Sequence, residues 1–210
     1  EKPVLDLAQY FNGKIDASGL ITGTISGSYR DNAAAKFRLD YRQAKDSVTF
    51  YNQEAEKLGI DILKWQTSGV KDFSPAVTTS VSFTKKCDSS ADHIYINPLI
   101  TPPIKENPFS AVERNLPVEF SSPQMVNVSV SLSIPDGYTV EGLNNGVKIN
   151  TPDNSMMFKY VVLAENNVIS LQCRLNVNDL FYSADKYPMI KDEYAKICEK
   201  CKDVIVLKKL

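Results

Sequence analysis

The 210 residues are 43% hydrophobic and 23% charged, enough for one large or two small domains with a core that needs neither disulfide nor metal. With 24 basic and 25 acidic residues netting −1, no long-range field gathers nucleic acid or an anionic membrane at the surface. No apolar run reaches the ~20 residues that cross a bilayer, so neither a nucleic-acid partner nor a membrane span is expected.

In chain order, Glu1 stands without a Met or a charged-then-apolar leader, as expected of a processed or truncated start. Leu20 to Arg30 predicts a strand, with Ile21, Gly23, Ile25, Gly27 and Tyr29 on one face and Thr22, Thr24, Ser26 and Ser28 on the other. The two glycines on the apolar face leave room for another backbone or helix to approach closely. Ala34, Phe37, Tyr41, Ala44, Val48, Tyr51, Ala55 and Leu58 recur at alternating steps of three and four. This stripe predicts one long helix over about 32–58, capped by Asp31 or Asn32 and stopped by Gly59. Its small and aromatic residues suit packing on a sheet better than a coiled-coil seam.

Val77, Thr79, Val81 and Phe83 predict the next strand, and Ile94 and Ile96 another. Pro98 to Pro108 holds Pro102-Pro103 and Asn107-Pro108 and is the expected domain boundary, because successive prolines break helices and ladders alike. Val126, Val128, Val130, Leu132 and Ile134 then alternate with Asn127, Ser129, Ser131 and Ser133, a strand with one wet face. Pro135-Asp136-Gly137 predicts a turn. Strands follow over 146–151, 156–164 and 168–177, with Asn166-Asn167 as a hairpin turn. A short helix over about 189–202 leads into a last strand over 204–208. The order predicts a mainly β protein with α+β character. Two antiparallel β-sandwich-like units are expected: 1–104 with the long helix, and 105–210 with the short one.

Few residues carry chemistry. His93 is the only histidine, which excludes zinc sites built on histidine pairs. Cys87 lies six residues before it, and a hairpin there would make the two a candidate nucleophile and base of a cysteine hydrolase. The acidic Asp88 and Asp92 between them oppose a reactive thiolate. Cys198 and Cys201 form a CxxC in the last turn of the predicted helix, where the dipole disfavours negative charge. Cys201 continues the apolar stripe of Ile190, Tyr194 and Ile197, and Cys173 falls with Ile169, Leu171 and Leu175. Packing is therefore the expected role of these thiols, and the disulfide status of Cys87, Cys173, Cys198 and Cys201 stays open. No catalytic, cofactor-binding or metal-ligating residue is assigned and no cofactor is expected; no phosphate-loop or nucleophile-elbow pattern occurs. Trp65, near the end of a strand, and Phe181, Tyr182 and Tyr187, beside a loop, are the candidate ligand-binding residues, since exposed aromatics bind glycans or partner proteins.

The second half carries a pattern. Asn107-Pro108-Phe109, Arg114 and Leu116 to Phe120 are followed by Ile134 to Tyr138, Val140 to Leu143 and Val204 to Lys209. Together they resemble the C-terminal domain of unknown function of bacterial transglutaminase-like proteins. Residues 1–104 are more loosely similar to the region after the enzyme core in those proteins, through Tyr29, Ala33 to Ala35 and Arg38. Asn144-Asn145 departs from the family's proline at that turn. The resemblance implies a periplasmic or cell-surface setting and an upstream transglutaminase-like core as partner. It carries over no catalytic residue, because the family's triad lies in that core. A non-catalytic accessory or interaction module is the function expected; a carbohydrate- or peptide-binding module and a hydrolase using Cys87 and His93 are the alternatives.

Overall fold

Hydroxyl and apolar side chains alternate along Leu20–Arg30 and Gln124–Ser133, and that alternation organises the molecule. The computed structural model describes residues 4–72, 75–143 and 146–210. The strand β1 (Leu5–Ile15) turns back into β2 (Leu20–Arg30), with Gly13 and Gly23 paired across the ladder. A Cβ on either glycine would come within 2.7 and 2.6 Å of the Phe11 ring. Phe11 therefore lies over both, and it is buried. This ring, not the helix or further backbone expected there, fills the space over Gly23.

The 32–58 stretch forms two helices rather than one, α1 (Asp31–Gln43) and α2 (Ser47–Leu58). Neither Asp31 nor Asn32 caps the first; Arg30 holds that position and Asp31 sits at φ 45°. The real cap is Asp46, whose carboxylate accepts from the Thr49 amide at 2.7 Å. A short acceptor placed there competes with the helix's own carbonyls, so the chain breaks at 44–46 and restarts in a new phase. Val48, which the stripe placed inward, is 64% exposed, and Phe50 is buried instead. Gly59 ends α2 at φ 61°, the left-handed region a glycine enters freely.

Strand β3 (Asp61–Ser68) and β4 (Ala76–Lys86) follow, and β4 returns to pair with β2. The short β5 (Asp88–Ser89) and β6 (His93–Ile96) form the expected hairpin. After the Pro-rich stretch come β7 (Val118–Glu119), β8 (Gln124–Ser133), β9 (Tyr138–Val140), β10 (Val147–Asn150), β11 (Met156–Glu165) and β12 (Val168–Val177). Asn166 and Asn167 both take positive φ between β11 and β12, as a two-residue hairpin turn requires. The chain ends with β13 (Phe181–Tyr182), α3 (Tyr187–Lys200) and β14 (Ile205–Lys209). The departure at Asn144-Asn145 lies outside the described residues.

One eight-stranded sheet, in the order β10-β11-β12-β8-β1-β2-β4-β3, runs through both halves of the chain. Its centre is a parallel pair, β1 with β8, in register from Leu5 with Gln124 to Lys14 with Ser133. The antiparallel expectation therefore fails at that one ladder, and the expected boundary at 104/105 does not interrupt the sheet. Thr22, Thr24, Ser26, Asn127, Ser129 and Ser131 line its wet face, while Ile21, Ile25, Val128, Val130, Ile169 and Leu171 are buried on the other. Helix α1 packs across β1, β2 and β4. Helix α3 and the small sheet β5-β6-β14-β9 share the same continuous core farther along. No helix among the described residues is long and apolar enough to cross a membrane.

Candidate functional site

The Pro-rich stretch is a strap on α3, fixed at both ends by asparagine. Asn97 Nδ2 donates to the Cys201 carbonyl at 3.0 Å and its Oδ1 accepts from the Leu99 amide. Asn107 repeats the arrangement, donating to the Lys191 carbonyl at 2.9 Å and accepting from Phe109. Leu99, Ile100 and Phe109 are buried beneath the strap. Because the strap is held there, its Thr101, Pro102 and Lys105 form one wall of a cleft against α2 and the sheet.

The cleft holds a cavity of about 290 Å³. Its aromatic side is built by α1, α2, β2 and β3. Trp65 stacks on Tyr51 at 4.8 Å and 16°, and Phe37 lies 4.8 Å from Tyr29. Tyr29 reaches inward because Gly27 has no side chain: a Cβ there would meet Thr79 Oγ1 at 2.6 Å and the Tyr29 ring at 2.9 Å. Burial pushes the Tyr29 phenol up, and its oxygen accepts from Gln9 Nε2 at 3.4 Å. Trp65 Nε1 is buried with no hydrogen-bond acceptor among the described residues. At the mouth, Glu54 pairs with Lys57 at 2.6 Å, and Lys105 donates to the Lys57 carbonyl at 2.9 Å.

A second cavity of about 340 Å³ adjoins the first, sharing Lys57, Leu58, Pro102 and Lys105 with it. It adds Lys85 and Lys202, with Glu106 as its one carboxylate among the described residues. Lys85 donates to the Leu58 and Gly59 carbonyls at 3.2 and 2.8 Å, closing the C-terminus of α2.

The candidate aromatics separate. Trp65 lies within β3 rather than near its end and lines the cleft. Phe181 is 58% exposed but stands apart on β13. Tyr182 and Tyr187 are corrected: each is 2% exposed, not a surface platform. Their hydroxyls donate to the Ser155 and Ala111 carbonyls at 3.1 and 3.0 Å, partners too distant in sequence to be foreseen. The hairpin also fails to join Cys87 with His93. His93 Nε2 faces Glu141 at 3.3 Å, while the Cys87 backbone is tied to Gly19 and burial pushes its thiol up. Cys173 and Cys201 meet in the core, where their mutual hydrogen bond, with burial behind it, raises the Cys173 thiol. Burial also raises Cys198. Among the described residues, no group of three or more His, Cys, Asp or Glu side chains is arranged to hold a metal.

Residues 92–207 match the family described as "Domain of Unknown Function with solved-structure structure (DUF3858)". The chain belongs to this family. Within the matched residues, Asn107-Pro108-Phe109 ends the strap, and Phe109 meets Tyr194 edge-on at 4.9 Å. No curated protein matches the chain. A crystal structure from Parabacteroides distasonis, named "putative protease", is similar over 57% of this chain and 24% of that one, with 13% identity and a TM-score of 0.46. The cleft straddles the edge of the DUF3858 match, for Trp65, Tyr29 and Phe37 precede it and Thr101, Pro102 and Lys105 fall within it.

Proposed function

We propose that this chain is a non-catalytic accessory module of a larger exported protein with a transglutaminase-like core, and that it acts by binding. The observation that carries this reading is the dispersal of its reactive groups. The one imidazole faces a carboxylate, and burial or a neighbouring thiol pushes Cys87, Cys173 and Cys198 up. Cys201 is the one thiol held down, by its hydrogen bond with Cys173, and it is buried in the core. A nucleophile needs a lowered pKa or an adjacent base where a substrate can reach it. The periplasmic or cell-surface setting belongs to the same proposal through the resemblance of residues 107–143 and 204–209 to that family.

A second reading, a peptide- or glycan-binding module, draws support from the cleft beside Trp65, since recesses with aromatic walls and a few polar groups hold ligands. The two readings share one mode of action. Deleting this region from its parent protein tests the first. Turnover of a small soluble acyl donor is expected to survive, and action on a macromolecular substrate to fall. Loss of small-donor turnover in a parent whose remaining domains stay folded would contradict the accessory role.

A further inference from the structure

We infer that the two joined cavities form one binding site for a small amphiphilic carboxylate, its apolar body beside Trp65 and its carboxylate at the lysines. This deepens the binding reading above and rests on it. The body follows from the walls: Trp65, Tyr29, Phe37, Ile25 and Val81 surround the first cavity, and such surface gains from losing water. At about 290 Å³ it lies at the small end of ligand pockets, room for an aromatic ring or a short chain rather than a folded partner.

The charge follows from a local excess that the whole chain lacks. Lys57 is met by Glu54, but Lys85, Lys105 and Lys202 stand against Glu106 alone among the described residues, in a chain whose net charge is −1. The bonds that Lys85 and Lys105 make go to backbone carbonyls, which occupy donors and cancel no charge. An ammonium has three donors, so donors remain free to meet an anion. The same carbonyls set the size of that anion's charge. They belong to the C-terminus of α2, the negative end of its dipole, and among the described residues no arginine lines either cavity to grip a phosphate in two-point fashion. A single negative charge fits this field better than a double one.

The probe pair is 1-naphthaleneacetate and its uncharged amide, titrated into the full chain. The chain has one tryptophan, so one indole N–H resonance reports the site. The acid is expected to shift that resonance saturably and the amide to bind at least tenfold more weakly. Lys202→Gln, which spares the α2 carbonyls, is expected to weaken the acid severalfold without moving the amide. Lys105→Gln is expected to do the same, with the spread of the amide spectrum confirming the fold. Equal affinity for acid and amide overturns the inference, as does a titration that leaves the indole unmoved or one indifferent to both lysine changes. None of these failures touches the deletion experiment, whose own failure would leave this titration standing.

Discussion

Two aromatic layers flank the strap, and they are finished differently. Around α3, Phe109, Tyr182, Tyr187 and Tyr194 are all buried, with Phe109 edge-on to Tyr187 and Tyr194 at 5.9 and 4.9 Å. Around α2, Tyr51 and Trp65 stack in parallel and remain only partly buried, beside a cavity. Unmet polar atoms do not separate the two, since both the Tyr194 hydroxyl and the Trp65 indole lack a partner among the described residues. What separates them is closure. The strap lies directly on α3, whereas α2, restarted after the break at 44–46, packs on the edge strand β3 and leaves a cavity beside the stacked pair. The same residue types thus make a sealed core on one side and a recess on the other.

Substitutions in the sealed layer are expected to act on stability. Phe109→Ala should have the largest effect, about 3–5 kcal/mol by chemical denaturation, from lost burial and the cavity left among rigid rings. A cost below about 1 kcal/mol would mean that the strap is not closed. Tyr187→Phe removes only the bond to the Ala111 carbonyl and should cost about 1 kcal/mol. A neutral outcome would place that hydroxyl in water.

The open layer should respond to pH through its break. The Thr49 amide holds the Asp46 carboxyl below its ordinary range. Its contribution is therefore fully present above the unfolded carboxylate value and fades as pH falls through the lower folded value. Asp46→Ala should lower the thermal midpoint at neutral pH by a small amount and shallow the loss on acidification. An unchanged acid limb would show that the cap does not hold α2.

Much of this frame is legible in the sequence, and the misses have physical causes. The alternation from Leu20 to Arg30 and from Val168 to Val177 gives β2 and β12 to the residue, because one face of each is wet. β1 shows no such clean pattern, and nothing local predicts its parallel ladder with β8, more than a hundred residues away. The helix stripe misled because its three-and-four spacing continues through Ala44 and Val48, while the decisive signal was Asp46 with Thr49 behind it. Asn107-Pro108 reads as a breaker and is one, yet its side-chain amide also clamps α3. The cleft was legible only as Trp65, since its other walls come from six separate stretches. Tyr182 and Tyr187 looked exposed beside a loop because Ala111 and Ser155, which cover their hydroxyls, are distant in sequence.

The most direct test of a chain that binds rather than reacts is thiol labelling of the folded protein at neutral pH. Iodoacetamide, followed by mass spectrometry at Cys87, Cys173, Cys198 and Cys201, should label all four slowly, with Cys87 no faster than an ordinary free thiol and unaffected by His93→Ala. Rapid labelling of Cys87 that disappears in His93→Ala would contradict the account.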